Sequence, residues 1–120
     1  MTSNELKQLS QVQMDEVYKW VDSFNLTQKK SLIQRDFSDG VMLYEILTQL
    51  FPKLLSQVKL QHFSCVSKKK ENWLILNRIV FSKLNIKLSD KQIERLVSQE
   101  ESYIEKFLFK LMPILKRSND

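Results

Sequence analysis

The residue types that do chemistry are scarce in this chain. His62 is the single histidine and Cys65 the single cysteine. Their i, i+3 spacing would suit half of a zinc site, but tetrahedral zinc takes four ligands and no second ligand pair stands elsewhere, so no metal is expected. A thiol activated by an imidazole would also need a third group to orient it, and none accompanies them, so both read as side chains of a connecting segment. Asp36 and Asp39 are spaced like paired carboxylates, yet turn and helix-cap duties account for both. One glycine in the whole chain rules out a glycine-rich phosphate loop. Trp20 and Trp73 could stack nucleic-acid bases, but each falls within a helical apolar pattern that predicts core packing. The chain reads as a non-enzyme with no cofactor.

The cationic residues form the one chemical feature that stands out. The net charge of +5 is unevenly placed. Residues 52–91 hold nine Lys/Arg against Glu71 and Asp90, residues 1–51 hold five against seven acids, and residues 92–120 hold five of each. Such a block attracts an anionic partner, whether an acidic protein surface, nucleic acid or anionic lipid, unless it is a well-solvated face. Lys68, Lys69 and Lys70 are predicted in the first turn of a helix, where an exposed positive charge opposes the dipole by ~0.3–1 kcal/mol per site. Folding gives no reason for that placement, whereas binding an acidic partner does; an indifferent solvated turn is the alternative. Arg35 precedes a helix cap, and its planar donors suit either a local pair with Asp36 or Asp39 or a partner's carboxylate.

Helices must position these residues. At 120 residues the chain can bury one core, and its single glycine and two prolines favour helix packed on helix. The lone cysteine suits a reducing interior, the N-terminus lacks a secretory pattern, and no apolar run approaches the ~20 residues of a membrane span. A soluble cytosolic domain without membrane contact is expected. A flexible segment is expected over residues 1–12, the domain over 13–117 and a frayed tail over 118–120.

The periodicity predicts a first helix from about Gln13, with Met14, Val17, Tyr18 and Val21 on one face. Residues 25–34 form a connection, with Lys29 and Lys30 outward. The next helix, Asp39 to Phe51, is capped by Ser38 or Asp39, buries Leu43, Ile46, Leu47 and Leu50, and stops at Pro52. Gly40 in its first turn suggests the close approach of another backbone. A linker over 52–66 is anchored by Leu54, Leu55, Val58, Leu60 and Phe63. Ser67 is then expected to cap a helix to about Leu84, apolar around its whole circumference and so the buried central rod. The amide of Asn77 is expected to satisfy the backbone of a neighbouring loop. Ser89 with Gln92 forms a capping box, Ser98 with Glu101 repeats it, and the final helix is expected to kink or end near Phe109 to Met112 because of Pro113.

The run Arg35-Asp-Phe-Ser-Asp-Gly-Val resembles the start of a characteristic helix of calponin-homology domains, above all those of the sperm flagellar protein 1 family. Asn72-Trp73, Leu76-Asn77-Arg78 and Ser82-Lys83-Leu84-Asn85 follow in the family's order, and Tyr18-Lys19-Trp20-Val21-Asp22 fits its first helix. Ile79 departs from the pattern, standing where the family tends to have a second basic residue.

The resemblance implies an all-α calponin-homology-like bundle with a central buried helix. It also implies microtubule binding in a cytoplasmic, cytoskeletal setting such as a cilium, flagellum or axoneme. The expected contacts with acidic tubulin are Arg35, Lys53, Lys68, Lys69 and Lys70, with Lys29, Lys30, Lys59, Arg78, Lys83 and Lys87 as weaker candidates. An actin-binding or adaptor domain of the same fold is the lower-ranked alternative, since single calponin-homology domains are poor actin binders as a class. Nucleic acid, supported by charge alone, is not expected as a partner, and self-association would depend on residues beyond Asp120.

Overall fold

The structure, a computed structural model, describes residues 8–26 and 32–119. Where side chains can satisfy the first amides of a helix, they set its boundary. Ser10 Oγ accepts from the Gln13 amide at 3.2 Å while Gln13 Oε1 accepts from the Ser10 amide at 2.9 Å. This reciprocal box starts α1 (Gln11–Asp22) two residues before the predicted Gln13, leaving Asp15 and Glu16 beyond the first turn. The same chemistry at Ser89 and Gln92 opens α5 (Asp90–Val97), as the sequence predicts. Between them lie α2 (Ile33–Asp36), α3 (Val41–Leu50), α4 (Val66–Ile79) and a 3₁₀ turn (Phe81–Leu84), and α6 (Tyr103–Asn119) closes the chain. The described residues contain no strand, so the all-α expectation holds.

Several boundaries differ from the periodicity. Ser98 and Glu101 do not form a second box. The Gln99 amide donates to Leu96 O and the Glu100 amide to Arg95 O, so α5 ends in a Schellman arrangement with Gln99 left-handed at φ 63°. Pro113 does not end α6, which runs on to Asn119. Pro113 is exposed, so the carbonyl it leaves unpaired is on the solvent side, while Leu111, Met112 and Leu115 are buried and hold the last turns down. The Asn119 side-chain amide donates to Leu50 O, tying the predicted tail to the end of α3. Cys65, not Ser67, is the N-cap of α4, without a side-chain cap bond.

Gly40 precedes α3 in the left-handed region at φ 79°, which explains the glycine more directly than crowding does. A Cβ there would meet Leu76 Cδ1 at 3.4 Å and Trp73 Cε2 at 3.5 Å, ordinary contacts with side chains and not with another backbone. Asp39 Oδ1 accepts from the Val41 amide at 3.1 Å, so the predicted cap acts from one residue upstream.

The rod predicted from Trp73 to Leu84 is only partly as expected. Its helical part ends at Ile79, and Trp73, Leu76, Val80 and Phe81 are fully buried. Leu74, however, is 48% exposed, and Ile75 and Ile79 are half-buried, so one side of α4 is uncovered. α6 shares the centre. It packs on α1, α2, α5 and the 3₁₀ turn, and the Phe107 ring meets Trp73 and Phe81 edge-on with centroids 6.1 and 6.4 Å away. The radius of gyration, 13.5 Å, agrees with about 13.6 Å for a single domain of this length.

Candidate functional site

The start of α4 and the turn before α3 form one bonded unit. Lys69, Asn72 and Trp73 are spaced i, i+3, i+4, so all three face the Asp36 to Gly40 turn. The Trp73 indole donates to Ser38 O at 2.8 Å, and the Asn72 amide donates to Asp39 O at 2.8 Å and Gln61 O at 3.0 Å. Lys69 Nζ donates to Ser38 Oγ at 2.8 Å, and that hydroxyl donates to Arg35 O at 2.7 Å. Asp39 Oδ2 faces His62 Nδ1 at 3.0 Å and accepts from the Phe63 amide at 3.3 Å, drawing the linker in. Both aspartates are thus held by structural bonds, Asp36 accepting from the Leu32 amide at 3.1 Å. The linker itself forms turns over residues 52–57, and Tyr44 pins it by donating to Val58 O at 2.8 Å.

This unit corrects the expectation that three lysines project together. Lys69 is buried at 8% exposure and points into the domain. Lys68 and Lys70 stay outside, since a step of about 100° per residue turns each neighbour of Lys69 off the buried face. Lys68 Nζ lies 3.6 Å from Glu71 and Lys70 Nζ 3.7 Å from Glu94, both solvent-accessible pairs of the kind worth ~0–1 kcal/mol. Arg35 Nε lies 3.5 Å from Asp36 Oδ1 with its side chain 55% exposed, so the local pair coexists with an accessible guanidinium. Lys53, Lys59, Arg78, Lys83 and Lys87 are exposed. Arg78 and Lys87 share the edge of a groove beside α4. Lys29 and Lys30 lie outside the described residues.

Among the described residues no chemistry-bearing cluster competes with this surface. Among the described residues no three His, Cys, Asp or Glu side chains converge in a metal-binding arrangement. Cys65 is exposed and contacts Ser67 Oγ at 3.1 Å. That hydrogen bond, then the Lys68 and Ser67 amides, then the Lys68 charge hold its thiol pKa below the ordinary value. Trp73 is fully buried, and Trp20 is half-buried with its ring edge-on to Phe24 at 5.1 Å, so neither serves as a base-stacking platform. Among the described residues no helix is long and apolar enough to cross a membrane.

The sequence reading missed three features: the inward Lys69, the uncovered side of α4, and the Tyr18–Glu105 contact between α1 and α6, where the phenol donates at 2.8 Å. Lys69 had a visible signal, because it lies four and seven residues before Trp73 and Leu76 on one helical face.

Comparison with known proteins agrees with this scaffold. The CH-like domain found in sperm proteins matches residues 17–113. Sperm flagellar protein 1 of Xenopus laevis is 39% identical over 92 residues, covering 77% of this chain and 40% of the relative. The protein of the same name from Mus musculus is 32% identical over 98 residues, covering 82% and 42%, and that from Homo sapiens is 31% identical over the same span. The chain therefore spans about two fifths of the length of the curated relatives it matches. The family so matched is structural and cytoskeletal, not a family of enzymes. With the match extending from Val17 in α1 to Pro113 in α6, the chain belongs to the family of CH-like domains of sperm proteins.

Proposed function

We propose that this domain binds microtubules through the basic surface around the start of α4, within a cilium, flagellum or related cytoskeletal array. One observation carries the reading: residues 52–91 hold nine basic side chains against two acidic ones, and eight of the nine remain accessible, Lys69 alone being buried. Tubulin's surface and tails are acidic, so the field of this block both attracts and orients the partner. Lys68, Lys70, Arg35 and Lys53 are the main contacts, with Lys59, Arg78, Lys83 and Lys87 adding to the field. Lys69 supports the surface from within by bonding Ser38. The relatives' name, sperm flagellar protein 1, fits a filament of the axoneme.

The test is co-sedimentation with microtubules across a salt series, with filamentous actin in parallel. Binding is expected to fade as ionic strength passes ~0.15 M, where screening shortens to ~8 Å. A Lys68→Glu/Lys70→Glu variant, folded by circular dichroism, should bind at least about tenfold more weakly at low salt, since like charges would then face an acidic surface. Wild-type affinity in that variant, or pelleting with actin in preference to microtubules, would refute the reading.

A further inference from the structure

The uncovered side of α4 forms a concave surface. Leu74, 48% exposed, and the half-buried Ile75 and Ile86 line a groove of about 690 Å³ between α4 and the segment that follows the 3₁₀ turn. A single exposed leucine is unremarkable on a protein surface, but three apolar side chains in one hollow are a recognition feature. Arg78 and Lys87 stand at its edge. Among the described residues Glu71 is the only carboxylate lining it, and Lys68 faces that carboxylate at 3.6 Å, so the net field in the groove is positive.

We propose that this groove docks an acidic peptide segment that carries an apolar side chain. The apolar side chain seats against Leu74, Ile75 and Ile86, and flanking carboxylates meet Arg78 and Lys87. Charge selects this occupant over the alternatives. A second copy of the chain would bring its own excess of +5 to a positive groove. Single-stranded nucleic acid would find no aromatic ring among the lining side chains. The site does not require tubulin as its partner, so it extends beyond filament binding through the start of α4.

The test uses the intact domain and a fluorescent synthetic peptide of glutamates flanking a leucine–phenylalanine pair. An all-glutamate peptide serves as the comparison. Anisotropy should show saturable binding of the first peptide and much weaker binding of the second, with amide NMR shifts centred on Leu74, Ile75 and Ile86. Leu74→Ser should weaken the first peptide roughly tenfold, the scale expected when one partly buried leucine is removed. Circular dichroism and microtubule co-sedimentation of that variant should match wild type. Equal binding of the two peptides, shifts centred elsewhere, or undiminished affinity in Leu74→Ser would overturn the groove. Microtubule pelleting is read separately, so its absence in the wild type would refute filament binding while leaving the peptide result to stand.

Discussion

Lys69 carries an amine to a site where the bond to the Ser38 hydroxyl is its one polar contact among the described residues. A long apolar side chain can occupy that space, whereas a carboxylate brought there would face the oxygens of Ser38 without a donor of its own. Lys69→Met is therefore expected to cost less than about 1.5 kcal/mol and Lys69→Glu at least about 3 kcal/mol in urea unfolding. Equal stability of the glutamate variant would mean that the side chain turns out to solvent. A charge-reversal test of filament binding should accordingly leave Lys69 alone, since unfolding would imitate lost binding. The clustering of Lys68, Lys69 and Lys70 was legible in the sequence, but which of them faces outward depends on helical phase, and Trp73 and Leu76 set that phase.

At the scale of elements, the best-read features were those written in local chemistry. The Ser89 and Gln92 box, the bracket made by Asn77 and, apart from the half-buried Leu50, the apolar stripe of α3 appear as expected. Asn77 Nδ2 donates to Leu88 O and Asn77 Oδ1 accepts from the Leu88 amide, each at 3.0 Å, fastening α4 to the segment that enters α5. Asn77→Ala should lower stability by about 1–3 kcal/mol in chemical denaturation, because both Leu88 backbone groups lose their partner. A loss below ~0.5 kcal/mol would show that water substitutes for the amide without penalty. The poorly read boundaries depend on tertiary or backbone facts. The Schellman end of α5 pre-empts the Ser98 box, and packing of Leu111, Met112 and Leu115 carries α6 past Pro113. The apolar run of α4 overstated its burial because a run of apolar residue types cannot show that no neighbour lies over Leu74.

For the whole molecule, closure depends on α6 returning to α1, and one polar contact marks that seam. Tyr18 donates to Glu105 Oε2 at 2.8 Å across 87 residues of sequence, while Glu105 Oε1 is buried with no hydrogen-bond partner among the described residues. Burial, then the hydrogen bond to Glu105, then the negative charges of Glu105 and Asp15 push the Tyr18 pKa up from 10.0 to about 12. In the unfolded chain the phenol ionises near 10, so between about pH 10 and 12 the folded state holds a proton that the unfolded state has released. The seam's contribution is therefore complete below pH 10 and declines as pH rises through that window. Phenolate absorbance should show one tyrosine titrating near 12 in the folded protein, and Tyr18→Phe should abolish that step and flatten the fall in stability between pH 10 and 12. At neutral pH the same variant should cost about 1–3 kcal/mol, because it strips a buried carboxylate of its phenol donor. A titration in which Tyr18 ionises at the ordinary tyrosine value would mean that α1 and α6 are not joined through this contact.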